Sequence, residues 1–351
     1  MKKVGLLIIL LPGFLLGRTV TINTGSFQIQ LNDYGRIRVL NTAGTRQMDR
    51  VSLLAGVSES AVFDYRADGN TRTATDSTGG TYLNSFEIYG VFDNSYSNLP
   101  PAVAESVHIY TWQNKNFAIC KFFVKNETGT NQTFYLSWEL ISQVGGTYEN
   151  DTSEVIGNNL VTIYDGSQGA CVGFLLLSPS QMYSYRAVPW GSYEYADPFY
   201  WSMMTSTETD YLVPGDADGL GGVFNAGPYY DVEPGSTMYA ALGIIFGSSK
   251  DDVQLAVPEV LSYYEGVSVA ENHNSLVKVR VSVIRGDLLK ISGLRDTYSY
   301  AIFDISGKEV ATGQVNTDGF INLRNNLSKG LYFLRLSVNN KTSSIKFVVL
   351  E

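Results

Sequence analysis

Apolar and polar residues alternate along the last part of the chain, and this period of two constrains the fold more than any other feature. Val277-Lys278-Val279-Arg280-Val281-Ser282-Val283 puts every second side chain on one face, as a strand with one buried face requires. Further runs follow at Asp287–Ile291, Tyr298–Asp304, Lys308–Val315, Phe320–Leu323, Leu331–Val338 and Lys341–Leu350. Ser306-Gly307, Asp318-Gly319 and Asn339-Asn340 separate some of these runs. Asn and Gly tolerate the positive φ that tight hairpin turns need. About seven short strands so punctuated predict a small antiparallel sandwich over residues 277–351.

Charge divides the chain in two. Residues 275–351 hold 11 Lys and Arg against 6 Asp and Glu, a net of +5, while residues 18–274 hold 12 against 28, a net of −16. The sign changes at the polar stretch Glu271-Asn272-His273-Asn274. The expected organisation is therefore an acidic domain over 18–270, a linker over 271–276 and a C-terminal domain over 277–351. An acidic domain repels phosphate backbones, which argues against nucleic acid as a partner. At the other end, Lys2 and Lys3 precede an apolar run from Val4 to Leu16, closed by Gly17. That is the pattern of a secretory signal peptide over residues 1–17, and the run is short for a bilayer. No later apolar run approaches eighteen residues, so no transmembrane segment is expected after signal removal.

The acidic domain reads as strands. Hydrophobic residues make up 44% of the chain, and 23 Tyr and 17 Phe favour sheets. A hairpin is expected from Thr19–Asn23 and Phe27–Leu31 around Thr24-Gly25-Ser26, then a strand over Gly35–Leu40. Asp68–Gly80, rich in Thr, Asp, Gly and Ser, reads as a loop. Phe86–Phe92 reads as a strand. Glu105–Trp112, Phe117–Val124 and Thr133–Ile141 read as a three-strand meander. Leu160–Tyr164 and Ala170–Leu177 pair across Asp165–Gly169, and Met238–Phe246 is the last strong strand. Ser178–Glu233 reads as a long irregular insertion. One helix is predicted after Ser248, with Asp251 three residues on as its capping partner, Val253, Val257 and Leu261 on one face, and Pro258 kinking or ending it. The fold class is thus all-β: a large antiparallel β-sandwich with one short helix, then a small seven-stranded immunoglobulin-like β-sandwich.

Candidate sites are few. Tyr183, Tyr185, Trp190, Tyr193, Tyr195, Phe199, Tyr200 and Trp201 crowd one Pro- and Gly-bearing stretch. Of these, Trp190, Tyr193, Tyr200 and Trp201 could stack on sugar rings or fill a protein interface; folding inward to close the sandwich is the competing reading. Pro214-Gly215-Asp216-Ala217-Asp218-Gly219 sets Asp216 and Asp218 on a tight turn, as a Ca²⁺ site requires. The EF-hand pattern lacks its further ligand and distal Glu, so a solvated turn competes, and no other cofactor is expected. Cys120 and Cys171 could form a disulfide in an oxidising compartment or remain buried thiols. His108 and His273 are the two histidines, and neither sits in a hydrolase or metalloprotease motif. With 28 acids in the domain, Glu139 and Glu154 stand out in name only.

Three blocks in the tail carry a resemblance. Phe303-Asp304-Ile305-Ser306-Gly307-Lys308-Glu309-Val310, Leu327-Ser328-Lys329-Gly330-Leu331-Tyr332-Phe333-Leu334-Arg335-Leu336 and Ile345-Lys346-Phe347-Val348-Val349-Leu350 resemble the C-terminal sorting domain of type IX secretion cargo. The resemblance covers about a fifth of the chain and leaves the large domain unrecognised. It implies that Asp304, Gly307, Gly330, Tyr332 and Lys346 belong to a sorting motif. It also implies that the type IX machinery is a partner and that the protein is secreted or carried on the outer cell surface. For the large domain three readings stand: a non-enzymatic structural or adhesive surface protein capable of self-association, a carbohydrate-binding module, and a glycan-acting hydrolase using two carboxylates.

Overall fold

The computed structural model describes residues 17–79, 84–167, 169–271, 284–285, 288–290, 298–315, 320–322, 327–338 and 341–350. The chain divides into two compact units, one ending at Tyr264 and the other beginning at Glu265. In the first unit the strands are β1 (Thr19–Asn23), β2 (Gln28–Asn32), β3 (Ile37–Leu40), β4 (Arg46–Ser58), β5 (Ala61–Asp64), β6 (Asn70–Gly79), β7 (Phe86–Asp93), β8 (Val103–Thr111), β9 (Phe117–Asn126), β10 (Gln132–Ser142), β11 (Asp151–Ile156), β12 (Leu160–Asp165), β13 (Ala170–Ser178) and β14 (Ser184–Pro189). Helix α1 (Asp197–Thr205) follows, then β15 (Leu212–Pro214), β16 (Leu220–Val232), β17 (Thr237–Gly247) and helix α2 (Lys250–Glu271), whose residues after Tyr264 fall in the second unit.

Two antiparallel sheets face each other. One runs β1-β2-β3-β4-β10-β16-β14 with β5 attached to β4; the other runs β15-β11-β12-β13-β17-β9-β8-β7-β6. Strand alternation explains the layer between them. Val51, Leu53 and Ala55 of β4 and Leu136, Trp138 and Leu140 of β10 point inward, as do Val107 and Ile109 of β8 and Cys120, Phe122 and Val124 of β9. Phe122 meets Trp138 across the interior with ring centres 5.4 Å apart.

Four expectations need correction. Asp68–Gly80 is largely strand, because β6 is an edge strand with a single ladder partner, β7, and can carry polar residues on both faces. The third strand of the meander, β10, does not join β9; it crosses to the other sheet and pairs with β4 and β16. The stretch read as an irregular insertion contains β14, α1, β15 and the 13-residue core strand β16. The described residues therefore contain two α-helices rather than one.

Helix α2 departs from its expected details. Its cap lies one residue later: Ser249 Oγ accepts the Asp252 N–H at 3.1 Å, and Asp252 reaches back to the Ser248 N–H at 3.1 Å. The helix continues through Pro258. Val253 and Val260 are fully buried, whereas Leu261 is 41% exposed, so the buried face is turned away from Leu261. That face lies on glycines: a Cβ at Gly173 would overlap Val253, and one at Gly243 would come 3.0 Å from Val260. Gly173→Ala is therefore expected to push α2 off the sheet and cost about 1–3 kcal/mol. Gly166→Ala, where nothing lies within 4 Å, should stay within about 0.5 kcal/mol. Paired thermal melts would check this, and equal melting temperatures for the two variants would refute it.

The second unit contains β18 (Ile284–Arg285), β19 (Leu288–Lys290), β20 (Tyr298–Asp304), β21 (Glu309–Val315), β22 (Phe320–Asn322), β23 (Gly330–Val338) and β24 (Lys341–Leu350). They form a five-stranded sheet, β18-β24-β23-β20-β21, and a two-stranded one, β19-β22. Tyr298, Ile302, Val315, Ile321, Tyr332, Leu334 and Leu336 form its core. The strand expected over Val277–Val283 and most of the linker expected over 271–276 lie outside the described residues. The Ser306-Gly307 turn shows its chemistry plainly. Asp304 Oδ1 accepts the Ser306 and Lys308 N–H groups at 2.8 and 3.1 Å, and Gly307 takes φ 81°. Tyr332 Oη donates to the Ser328 carbonyl at 2.9 Å, its ring lies against Gly330, and Lys346 pairs with Phe333 in the β23–β24 ladder.

Candidate functional site

The outer face of the eight-stranded sheet carries a buried polar cluster centred on Glu139. Residues between the inward-facing positions point here: Arg50, Ser52 and Leu54 from β4, Ser137 and Glu139 from β10, Val223 and Asn225 from β16. Glu139 is only 1% exposed. Its carboxylate accepts from Arg50 Nη1 at 3.0 Å, Ser52 Oγ at 3.2 Å, Tyr193 Oη at 2.6 Å and Tyr200 Oη at 3.0 Å. Burial disfavours the Arg50 charge, but Glu139, joined by Tyr65 and Tyr195, more than offsets it, so the Arg50 pKa is raised. Burial, reinforced by the Glu139 charge, pushes the Tyr193 and Tyr200 hydroxyls well above their ordinary range. Burial likewise lifts Asp64 to about 6, with Glu139 adding to the effect.

The aromatic stretch folds over this cluster. Tyr200, Met203 and Met204 on α1 pack with Leu54, Val62 and Val223 of the sheet. Tyr200 is 1% exposed, so no sugar ring can stack on it. Trp190 stacks on Tyr193 with centres 5.2 Å apart, and Trp201 meets Tyr135 edge-on at 5.2 Å. Tyr195 lies 3.9 Å from the Arg66 guanidinium and 5.2 Å from that of Arg50. Trp190, Tyr193 and Trp201 are half-buried, while the Tyr193 and Tyr200 hydroxyls, which would be orphaned over an apolar sheet, find a carboxylate acceptor.

Asp216 satisfies its own turn. Its Oδ1 accepts the Asp218 and Gly219 N–H groups at 2.9 and 3.0 Å, and Oδ2 accepts the Gly191 N–H at 2.8 Å. Among the described residues no group of three or more His, Cys, Asp or Glu could hold a metal ion. Cys120 and Cys171 are free and buried. They pair with Leu242 and Gly247 of the intervening strand β17. An odd separation along a strand places the two thiols on opposite faces of the sheet, which rules out a disulfide in this fold.

A tyrosine-lined groove opens elsewhere on the first unit, and the sequence reading missed most of it. Two adjoining depressions of about 420 and 550 Å³ share Tyr229 and Tyr239. Tyr183 and Gln181 line one; Tyr230, Asp231, Glu233 and Ser236 line the other. Two bulges in β16 shape the groove. Phe134 faces Tyr229 while Gln132 faces Val232, so β16 holds one extra residue there, and Asp231 takes φ 50°. This bulge leaves Tyr230 72% exposed. Gly227, at φ 117°, forms the second bulge; a Cβ there would approach Tyr183 Cβ to 3.1 Å. The signal available in the sequence was Gly227-Pro228-Tyr229-Tyr230, a bulge-prone pair followed by two rings.

Comparison with known proteins separates the two units. Residues 285–350 match the family described as the secretion system C-terminal sorting domain. This is the type IX sorting tail, and it marks proteins secreted to the extracellular space or the cell surface. No curated protein matches the chain. A solved structure similar to it is a bacterial glucoamylase complexed with acarbose: 13% identical, TM-score 0.49, covering 69% of this chain and 34% of that one. The chain thus spans about a third of that protein's length. The GalM/aldose epimerase homologue from C. elegans is similar at 8% identity and TM-score 0.38, covering 66% of this chain and 99% of that one. A polysaccharide lyase is similar at 10% identity and TM-score 0.35, covering 95% and 46%. Among the described residues no helix is long and apolar enough to cross a membrane.

Proposed function

We propose that the protein is an adhesive surface cargo whose large unit binds glycans in the tyrosine groove. Its sorting tail supports export by the type IX machinery. On this reading residues 1–17 are the signal for the first membrane, and the tail is an immunoglobulin-like carrier for the second. The observation that carries the glycan reading is the groove itself: four tyrosines with polar neighbours at the rim, one ring largely exposed. Flat apolar ring faces beside hydrogen-bonding groups suit a ligand with the same mixture. Tyr200, buried beside Glu139, gives this reading no support.

Calorimetric titration of the full chain with a panel of soluble polysaccharides tests it. Binding to at least one is expected, weakened about tenfold, or 1.4 kcal/mol, by Tyr230→Ala. Absence of binding across the panel, or wild-type affinity in both Tyr230→Ala and Tyr183→Ala, would sink the glycan reading.

A further inference from the structure

The outer face of the nine-stranded sheet holds a serine, a histidine and a glutamate that neither the tail nor the groove uses. Ser106 and His108 stand two apart on β8, so they share a face. Cross-strand register extends the rows: Tyr89, His108 and Lys121 lie in one, and Val91, Ser106, Phe123 and Tyr239 in the next. Glu87 of β7 sits diagonally beside His108. Its Oε1 lies 2.7 Å from His108 Nδ1. A carboxylate can only accept from Nδ1–H, and in the neutral imidazole with that tautomer Nε2 keeps its lone pair. That nitrogen lies 3.1 Å from Ser106 Oγ, so the hydroxyl donates to it. Tyr89 and Tyr110 flank the imidazole at 6.4 and 6.5 Å, and Phe123 meets it edge-on at 5.8 Å. The Glu87 side chain is 12% exposed and that of His108 29%.

The order hydroxyl, imidazole Nε2, imidazole Nδ1, shielded carboxylate is the order that activates a serine nucleophile. We propose that Ser106 and His108 are catalytic residues of an esterase site, with Glu87 positioning the imidazole, and that its substrates are short acyl esters on sugars. Ser106 Oγ attacks the ester carbonyl carbon while its proton passes to Nε2. The bond between the carbonyl carbon and the alcohol oxygen breaks, and the alcohol leaves with the proton from Nε2. Water then attacks the acyl group on Ser106 and gives one proton to Nε2. That proton returns to Oγ as the carboxylic acid is released. Glu87 stabilises the imidazolium formed in each half.

The sugar assignment rests on the glycan reading; the ester chemistry does not. Tyr239 belongs to the groove and stands in the same row as Ser106, with β9 between them. Neighbouring strands are about 4.8 Å apart, which puts the groove roughly 10 Å from the nucleophile, close to the length of one or two sugar units. The backbone of β8 is held in ladders with β7 and β9 on both sides, so the expected rate is that of general-base assistance, about 10²–10⁴-fold.

The test uses the full chain with p-nitrophenyl acetate, a fluorophosphonate probe and an acetylated polysaccharide. Expected results are one fluorophosphonate adduct, mapped by mass spectrometry to Ser106, and acetate release from both esters. Ser106→Ala and His108→Gln should each lower p-nitrophenyl acetate hydrolysis about 100-fold. Glu87→Gln should slow labelling, and Glu87→Asp should restore part of it, which a purely structural carboxylate would not do. An unlabelled Ser106 in the wild-type protein overturns the proposal without relying on any variant. So does a folded Ser106→Ala that hydrolyses at the wild-type rate. Cleavage of p-nitrophenyl acetate without acetate release from the polysaccharide overturns the sugar assignment and leaves the nucleophile standing.

Discussion

Replacing Glu139 with leucine is expected to destabilise the large unit by about 3–5 kcal/mol, because it leaves the Arg50 guanidinium buried without its partner. Arg50 and Glu139 are 6% and 1% exposed, so water cannot take over the lost interaction. Tyr193 and Tyr200 lose their shared acceptor in the same step. In a domain of this size the melting temperature should fall by roughly 6–20 °C. The double variant Arg50→Met/Glu139→Leu should regain more than half of the loss, since removing both charges ends the desolvation penalty. Melting curves for the single and double variants check this. A Glu139→Leu protein melting within 2 °C of the wild type, or a double variant no better than the single one, would show that the cluster contributes little.

The second large effect concerns pH. Burial lifts several carboxyls of the large unit, among them Glu105 to about 8, Asp151 to about 7 and Asp64 to about 6. Glu105 lies on β8 in line with the inward-facing Val103 and Val107, and its Oε1 has no hydrogen-bond partner. Its ordinary pKa is near 4.3, so between about pH 4 and 8 the folded chain holds a proton that the unfolded chain has released. Stability from such a group is complete at low pH and is lost as pH rises through the folded value. For Glu105 the loss by pH 8 is on the order of 4 kcal/mol. Asp64 and Asp151 act in the same direction over lower windows. The large unit should therefore melt progressively lower from pH 5 to pH 8. Glu105→Gln should flatten the upper part of that slope, because an amide keeps a neutral group there at every pH. A wild-type melting temperature that is level or rising across this range would refute the assignment.

Much of the strand framework was legible in the sequence, and the gaps have particular causes. β8, β9, β12, β13 and β17 stand out because their apolar residues recur with a strand's period or in short apolar runs. β6 was hidden because Thr, Asp and Ser look like loop composition, whereas at a sheet edge they keep the strand soluble. β16 was hidden by its glycines. Gly221 and Gly222 look like breakers, yet a Cβ at either would collide with the ring of Tyr193 or Tyr185. They are close-packing positions rather than turns. Glu139 was visible in Ser137-Trp138-Glu139-Leu140, but Arg50, Tyr193 and Tyr200 lie 89, 54 and 61 residues away along the chain.

What the sequence determined by itself was local or additive: the positions of most strands, the split into an acidic and a basic part, and the sorting tail with its Asp304-Ile305-Ser306-Gly307 turn. Alternation, net charge and turn chemistry depend on neighbours a few residues apart, so they can be read in order. Tertiary structure alone decided which sheet β10 joins, which face carries Cys120 and which Cys171, that the tyrosines of the lid find Glu139, and that Ser106, His108 and Glu87 meet. A period of two shows that a strand has a buried face, but not what covers it. That choice is made by packing between residues tens of positions apart, where contact depends on register and on which sheet each strand enters.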